Sequence, residues 1–353
     1  MLSVVAARMT VRMGACALML AAGVALPASA ADVTLRGAGS TFVAPLVNGW
    51  ISQFEATHPG IDIAYEAVGS GEGVSRFIAR KVDFAGSDNR LSETDAKKIE
   101  GGAVEVPSTA GLIVLAYNLP GLNGRLKLPQ DVYADIFLGK IQRWNDARIA
   151  AANPGMHLPA LNIAIVGRQD SSGTTFAFTQ HLSAVSKAWS DGPGIGKIVV
   201  WPSNAMLARG SEGLAAKINI TEGSIGYVEY GFALRLGLPT AALQNKDGHF
   251  VAPTAAAGAA ALAPTLDADL NALEKLAVNP AGAEAYPIVT YSWFLLHPDY
   301  PPEQAQALAS FINFAYNQGQ DTATHLGYIP LPQPVVDQAR AALARFGGKA
   351  SSR

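Results

Sequence analysis

The stretch Gly167-Arg-Gln-Asp-Ser-Ser-Gly-Thr-Thr-Phe176 concentrates more anion-binding chemistry than any other part of this 353-residue chain. Arg168 offers a full charge and a planar fork of donors shaped for an oxyanion. Ser171, Ser172, Thr174 and Thr175 add hydroxyls, and Gly173 lets a ligand come close to the backbone. The spacing of Phe176, Phe178, Leu182 and Val185 predicts one face of a helix. The loop therefore runs into a helix N-terminus, where the first N–H groups lack intrahelical partners and the dipole is positive. Such a loop can cradle a tetrahedral anion. An ordinary Ser-capped helix with a surface Arg168–Asp170 pair fits the same residues.

Three further small-residue loops offer hydroxyls and free amides: Ser40-Thr41, Ser70-Gly71 and Ser87-Asp88. Asp88 is a carboxylate where an anion is expected. It repels a fully deprotonated anion such as sulfate, yet accepts a hydrogen bond from one that still carries a proton, as phosphate does near neutral pH. Asp88 would then filter ligands through repulsion of the wrong one. Read alone, Asp88 is equally an Asx-turn residue ahead of Leu91.

The elements that must position these loops follow from periodicity. Strands are expected at Val33–Leu35, Ile61–Val68 and Val82–Ala85. Helices follow each: one bearing Phe42, Leu46, Trp50 and Phe54, one bearing Val74, Phe77 and Ile78, and one opened by the Ser92/Asp95 capping spacing and closed by Gly101-Gly102. Alternation of this kind predicts a parallel sheet covered by helices, with ligands where loops leave the strand ends. Leu112–Tyr117 reads as a strand leading into a second domain. Asp131–Phe137 and Ile141–Ala152 read as helices, Leu161–Val166 as a strand, and the helix after the Arg168 loop extends to Trp189. Ser211–Lys217 is helical, Ser224–Tyr230 a strand, and Ala255–Ala263 a surface helix. Pro287–Leu296 is expected to return the chain to the first domain, ahead of helices at Pro302–Asn317 and Val335–Phe346.

Composition bounds the partners. Hydrophobic residues make up 49% and charged ones 15%, which fits an ordered chain with sizeable cores. The formal charge is -2 with no basic stripe, so nucleic acid is not an expected partner. Residues 1–30 read as a secretory signal: Arg8 and Arg12, an apolar run Ala15–Leu26, and the small-residue site Ala28-Ser29-Ala30. Its removal leaves 24 basic against 28 acidic residues, a charge of -4, and removes the single Cys, Cys16. An anion site in such a chain depends on local donors. The six His are scattered without metal-ligand spacing, and neither a metal nor a cofactor is expected.

Taken together, Gly37–Pro45, Val68–Gly73, Asp83–Asp88, Leu138–Trp144, Gly167–Phe178 and Ile225–Tyr230 resemble the periplasmic phosphate-binding protein of the ABC-type phosphate transporter, in that family's order and over nearly all of the mature chain. The resemblance implies an α/β, type 2 periplasmic-binding-protein fold: two α/β domains joined by two crossing strands, with the ligand cleft between them. Domain I would comprise 31–111 and 286–353, and domain II 112–285. Thr41 and Phe42 would give backbone N–H groups, and Ser70 its hydroxyl and amide. Asp88 would accept the phosphate proton. Arg168, oriented by Asp170, would hold two oxygens, and Ser172, Gly173 and Thr174 would complete the cradle, with Ser40 supporting. The implied protein is an exported, monomeric, periplasmic receptor that passes inorganic phosphate to a permease and ATPase complex. It is no enzyme and uses no cofactor. One departure is Gly71-Glu72, where the family often has Ser-Gly. Glu72 is expected to face solvent.

Rival readings are a secreted phosphatase-like member of the same fold, a binder of another oxyanion such as arsenate, and a cell-surface interaction protein. The chain carries no G-x-S-x-G elbow, Walker A loop or H-E-x-x-H pair to favour catalysis.

Overall fold

Apart from the edge strand Ile61–Ala67, the apolar runs become strands that are largely buried. The computed structural model describes residues 33–344, so the signal segment 1–30 and the end of the expected terminal helix lie outside the described residues. In chain order the strands are β1 (Val33–Gly39), β2 (Ile61–Ala67), β3 (Phe84–Ser87), β4 (Val104–Tyr117), β5 (Lys127–Leu128), β6 (Ala164–Arg168), β7 (Met206–Ala208), β8 (Ser224–Glu229), β9 (Ala242–Gln244), β10 (Phe250–Val251) and β11 (Val289–Leu296). Eight of them form one sheet in the order β2-β1-β3-β11-β4-β8-β6-β7, while β10-β9-β5 form a smaller one.

The sheet is mixed, not purely parallel. Its outer wings are parallel: β1 with β2 and β3, and β6 with β7 and β8. At the centre β11 runs antiparallel to β3 and β4, and β4 antiparallel to β8. β4 pairs with β11 over Val104–Leu112 and with β8 over Ile113–Tyr117, so one 14-residue strand belongs to both wings. A strand leaving one wing and a strand returning to it must point in opposite directions. Local periodicity carries no information about that reversal.

Each wing builds its own aromatic core. In the first, helix Ala44–Glu55 buries Leu46, Val47, Trp50 and Phe54. Phe54 meets Phe311 and Phe314 edge-on, and the Trp50 indole donates to the Gly319 carbonyl at 2.8 Å. In the second, Phe137, Phe178, Trp201 and Tyr227 cluster, and the Trp144 indole donates to the Gly223 carbonyl at 2.9 Å.

Several expected boundaries move. β1 runs four residues past Leu35, and β3 begins two residues later than read. The segment Ile141–Ala152 is not one helix: Arg143 bridges Asn162, and helix begins only after Asp146, which caps Arg148 N–H at 2.9 Å. The helix after Arg168 stops at Val185, because Ser186 turns out and caps a new one at Trp189 N–H. Ala255–Leu262 is half-buried, with Ala257, Gly258, Ala261 and Leu262 inside.

Candidate functional site

Four helix N-termini converge on one point: those of Ala44–Glu55, Ser70–Ile78, Gly173–Val185 and Gly210–Ile220. Each follows a strand end, so each brings amides without intrahelical partners and a positive dipole to the same place. The first two belong to the β1–β3 wing and the last two to the β6–β8 wing.

Asp88 lies directly after β3 and is 2% exposed. Its Oδ1 accepts from the Ser40 hydroxyl at 2.5 Å and from the Ser292 hydroxyl at 2.8 Å. Its Oδ2 accepts from the Thr174 hydroxyl of the other wing at 3.2 Å. Burial pushes its carboxyl above the ordinary range, opposed by the three hydroxyls and by the Arg168 charge.

Arg168 is the last residue of β6, so the strand itself aims its guanidinium. Its Nε donates to Asp170 Oδ1 at 2.8 Å and its Nη2 to Asp170 Oδ2. This two-pronged pair leaves Nη1 facing inward, where it reaches the Ser211 hydroxyl at only 3.4 Å. Burial alone would raise the Asp170 carboxyl. The guanidinium and the Gly210 amide outweigh it and hold Asp170 below the usual range. The expected Arg168–Asp170 pair is thus present but buried, with side chains 2% and 9% exposed.

The remaining expected residues gather around these two. Ser172 caps the helix, its hydroxyl accepting from Thr175 N–H at 3.1 Å. Gly173 follows in the first turn. A Cβ there would stand 2.4 Å from Ser70 Oγ and 2.9 Å from the Asp88 backbone nitrogen, so only glycine permits this approach. Ser70 opens its helix behind Gly69, whose φ of +94° suits glycine, and the Ser70 hydroxyl accepts from Asp88 N–H at 3.3 Å. The Thr41 hydroxyl accepts from Ser211 N–H at 3.0 Å, and Phe42 N–H donates to Ser40 Oγ at 3.0 Å. The Phe42 side chain is core, packed edge-on against Tyr328. Glu72 points outward and pairs with Arg76 at 2.8 Å.

Across the opening, Gly71 N–H donates to the Ser171 carbonyl at 3.0 Å, so the two wings touch. A cleft of about 590 Å³ lies beside this contact, walled in part by Thr41, Asp170, Arg209 and Ser211. Asp88, Ser70 and Thr174 are not among its lining residues and lie deeper. The cluster is sealed and polar.

Four contributors escaped the sequence reading. Ser292 and Thr290 sit on β11, which reads as plain apolar strand; their period-two spacing was the available signal. Ser211 adds a hydroxyl at the start of its helix. The Tyr227 phenol takes the Arg168 N–H at 3.2 Å and pairs with the Thr175 hydroxyl at 2.6 Å, bracing strand end against helix start.

A family profile described as a PBP superfamily domain matches residues 26–318. The phosphate-binding protein PstS of Xylella fastidiosa (strain Temecula1) is 39% identical over 313 residues, covering 88% of this chain and 85% of the relative. This chain belongs to the PstS family. The PstS of Pasteurella multocida (strain Pm70) is likewise 39% identical, over 87% of this chain and 89% of its own. The PstS likeness extends to solved structures. A high affinity periplasmic phosphate-binding protein bound with phosphate superposes at a TM-score of 0.70 with 22% identity, over 88% of this chain and 93% of that one. The shared fold is the type 2 periplasmic-binding-protein arrangement expected from the sequence.

Proposed function

We propose that this chain is the phosphate-capturing receptor of an ABC-type phosphate importer. The observation that carries the reading is the opposition, in one sealed cluster, of a buried guanidinium and a buried acceptor carboxylate. The first attracts an oxyanion; the second accepts only if that oxyanion brings a proton. The names of the PstS relatives support the same ligand.

In this reading the anion lies between Arg168 and Asp88. It takes donors from Thr41, Phe42, Ser70, Ser172, Gly173 and Thr174, with Ser40 and Asp170 supporting. Residues 31–111 with 286–353 act as one domain and 112–285 as the other, with β4 and β11 as the connectors. The chain acts outside the cytoplasm after loss of residues 1–30, as a monomer. It hands phosphate to a membrane permease and its ATPase without chemical change to the ligand.

Calorimetric titration with phosphate, sulfate and arsenate tests the reading. Tight phosphate binding with no sulfate heat is expected. Arg168→Ala is expected to weaken phosphate by about 30-fold or more, since a buried charge-assisted pair loses one partner. Phosphate affinity unchanged by that substitution would remove Arg168 from the site. Turnover of a phosphate ester by the pure protein would favour the phosphatase-like alternative.

A further inference from the structure

Ser292 is fully buried on β11, one of the two connecting strands. On β11, Thr290 and Ser292 alternate with Tyr291 and Trp293, so both hydroxyls face the site. The Thr290 hydroxyl donates to the Asp88 backbone carbonyl at 3.1 Å, and the Ser292 hydroxyl to the Asp88 carboxylate at 2.8 Å. The pairing of β11 with β4 slips here: Ser292 faces Thr109, whereas Trp293 faces Pro107. Ser108 is the extra residue, and its hydroxyl donates to the Ser292 carbonyl at 3.0 Å. The extra residue belongs to β4, so the bend falls on that strand while β11 keeps its register with β3. The pairing of β11 with β3 is regular, with Trp293 facing Ser87, and continuing that antiparallel register sets Ser292 beside Asp88.

The two carboxylate oxygens are thereby made unequal. Oδ1 is saturated by Ser40 and Ser292. Oδ2 has only the long contact from Thr174, which belongs to the opposite wing. That oxygen is the one available to a ligand's proton. We propose that Ser292 is a specificity-determining positioning residue: it locks Asp88 as an ionised acceptor with Oδ2 toward the cleft, and so enforces rejection of anions that carry no proton. This rests on the phosphate-receptor reading above.

Other groups also act on Asp88. Arg168 favours its charged form. Lys197 lies within its field from the second wing, as do Glu229 at the end of β8, Tyr65 on β2 and Tyr328 in the C-terminal segment. None of these donates a hydrogen bond to the carboxylate, so none substitutes for the Ser292 hydroxyl.

With Ser292→Ala the carboxylate loses a donor to its charged form and takes up a proton more readily. A protonated Asp88 donates, and a donor suits sulfate. The test titrates wild type, Ser292→Ala and Ser292→Cys with phosphate and sulfate from about pH 5.5 to about pH 8. The cysteine fills nearly the same space with a weak donor. Both variants are expected to bind phosphate about tenfold more weakly near pH 8. Both are also expected to gain sulfate binding that strengthens as pH falls, while wild type excludes sulfate throughout. Sulfate exclusion retained in both variants would overturn the proposal. So would a cysteine variant identical to wild type beside an impaired alanine variant, because that pattern marks Ser292 as filler. Absence of phosphate binding in wild type would instead remove the receptor reading itself.

Discussion

Asp88 and Asp170 lie in the same buried cluster and carry opposite shifts, the first raised and the second lowered. The difference is what each touches. Asp170 meets a guanidinium in two places and behaves as a fixed anion that orients it. Asp88 meets only hydroxyls, which leave it able to accept one more proton-bearing partner. From this, Asp88→Asn is expected to retain phosphate, because the amide still offers an oxygen acceptor, and to admit sulfate, because it also offers N–H donors and no charge. Calorimetric heat on sulfate addition checks this, and silence there would count against a filter at Asp88. At this scale the sequence was informative. Arg168, Asp170 and Ser172–Thr174 stand together in one loop, so their types and spacing announce an anion site. Ser292 stands over two hundred residues from Asp88, and nothing local links them.

At the scale of elements, the site is a meeting of helix N-termini, and one of its tight points is Gly173 against Ser70 and Asp88. Gly173→Ala places a methyl where the Asp88 backbone cannot yield. The wings must then stay apart, and phosphate affinity is expected to fall at least about tenfold while the unliganded protein melts near the wild-type temperature. Titration beside a melting curve separates the two effects. A second element-level device is Glu229, the last residue of β8. Its carboxylate caps the following helix at Gly231 and Phe232 N–H, yet burial pushes its pKa up to about 8. Between the ordinary 4.5 of an unfolded chain and about 8, the folded protein holds a proton that the unfolded chain has released. The stabilisation is therefore full at low pH and is lost as pH rises towards 8. His181 works the other way: burial lowers it from 6.5 to about 3, so it costs stability as pH falls below 6.5. Above 6.5 the opposing His181 contribution no longer varies, so the Glu229 slope shows there. There stability is expected to drop by on the order of 2 kcal/mol by pH 8, and Glu229→Gln to flatten most of that slope in urea titrations. The elements themselves were mostly legible from periodicity. The errors fell where a capping side chain overrode it, as Asp146 and Ser186 do, and where small residues such as Gly37–Gly39 extend a strand through backbone pairing alone.

Over the whole molecule, two wings share one sheet only through β4 and β11, and the donors to Asp88 are divided between them. Alternating strands and helices announced the layers, but not the antiparallel centre, because direction is a property of the chain's return path. Contacts across the cleft, among them Gly71 to Ser171, Thr41 to Ser211 and Thr174 to Asp88, are polar, and polar contacts exchange readily with water. An anion bridging Arg168 and Asp88 would add charge-assisted bonds to both sides at once. Phosphate is therefore expected to contract the protein in small-angle scattering. It should also raise unfolding stability with the logarithm of its concentration, by about 2.7 kcal/mol at a hundredfold excess over Kd. Sulfate at equal concentration should do neither. Contraction without stabilisation would mean that closure does not use the anion. Stabilisation without contraction would mean that the wings are already closed before it arrives, leaving Arg168 and Asp88 a fixed pocket instead of a clamp.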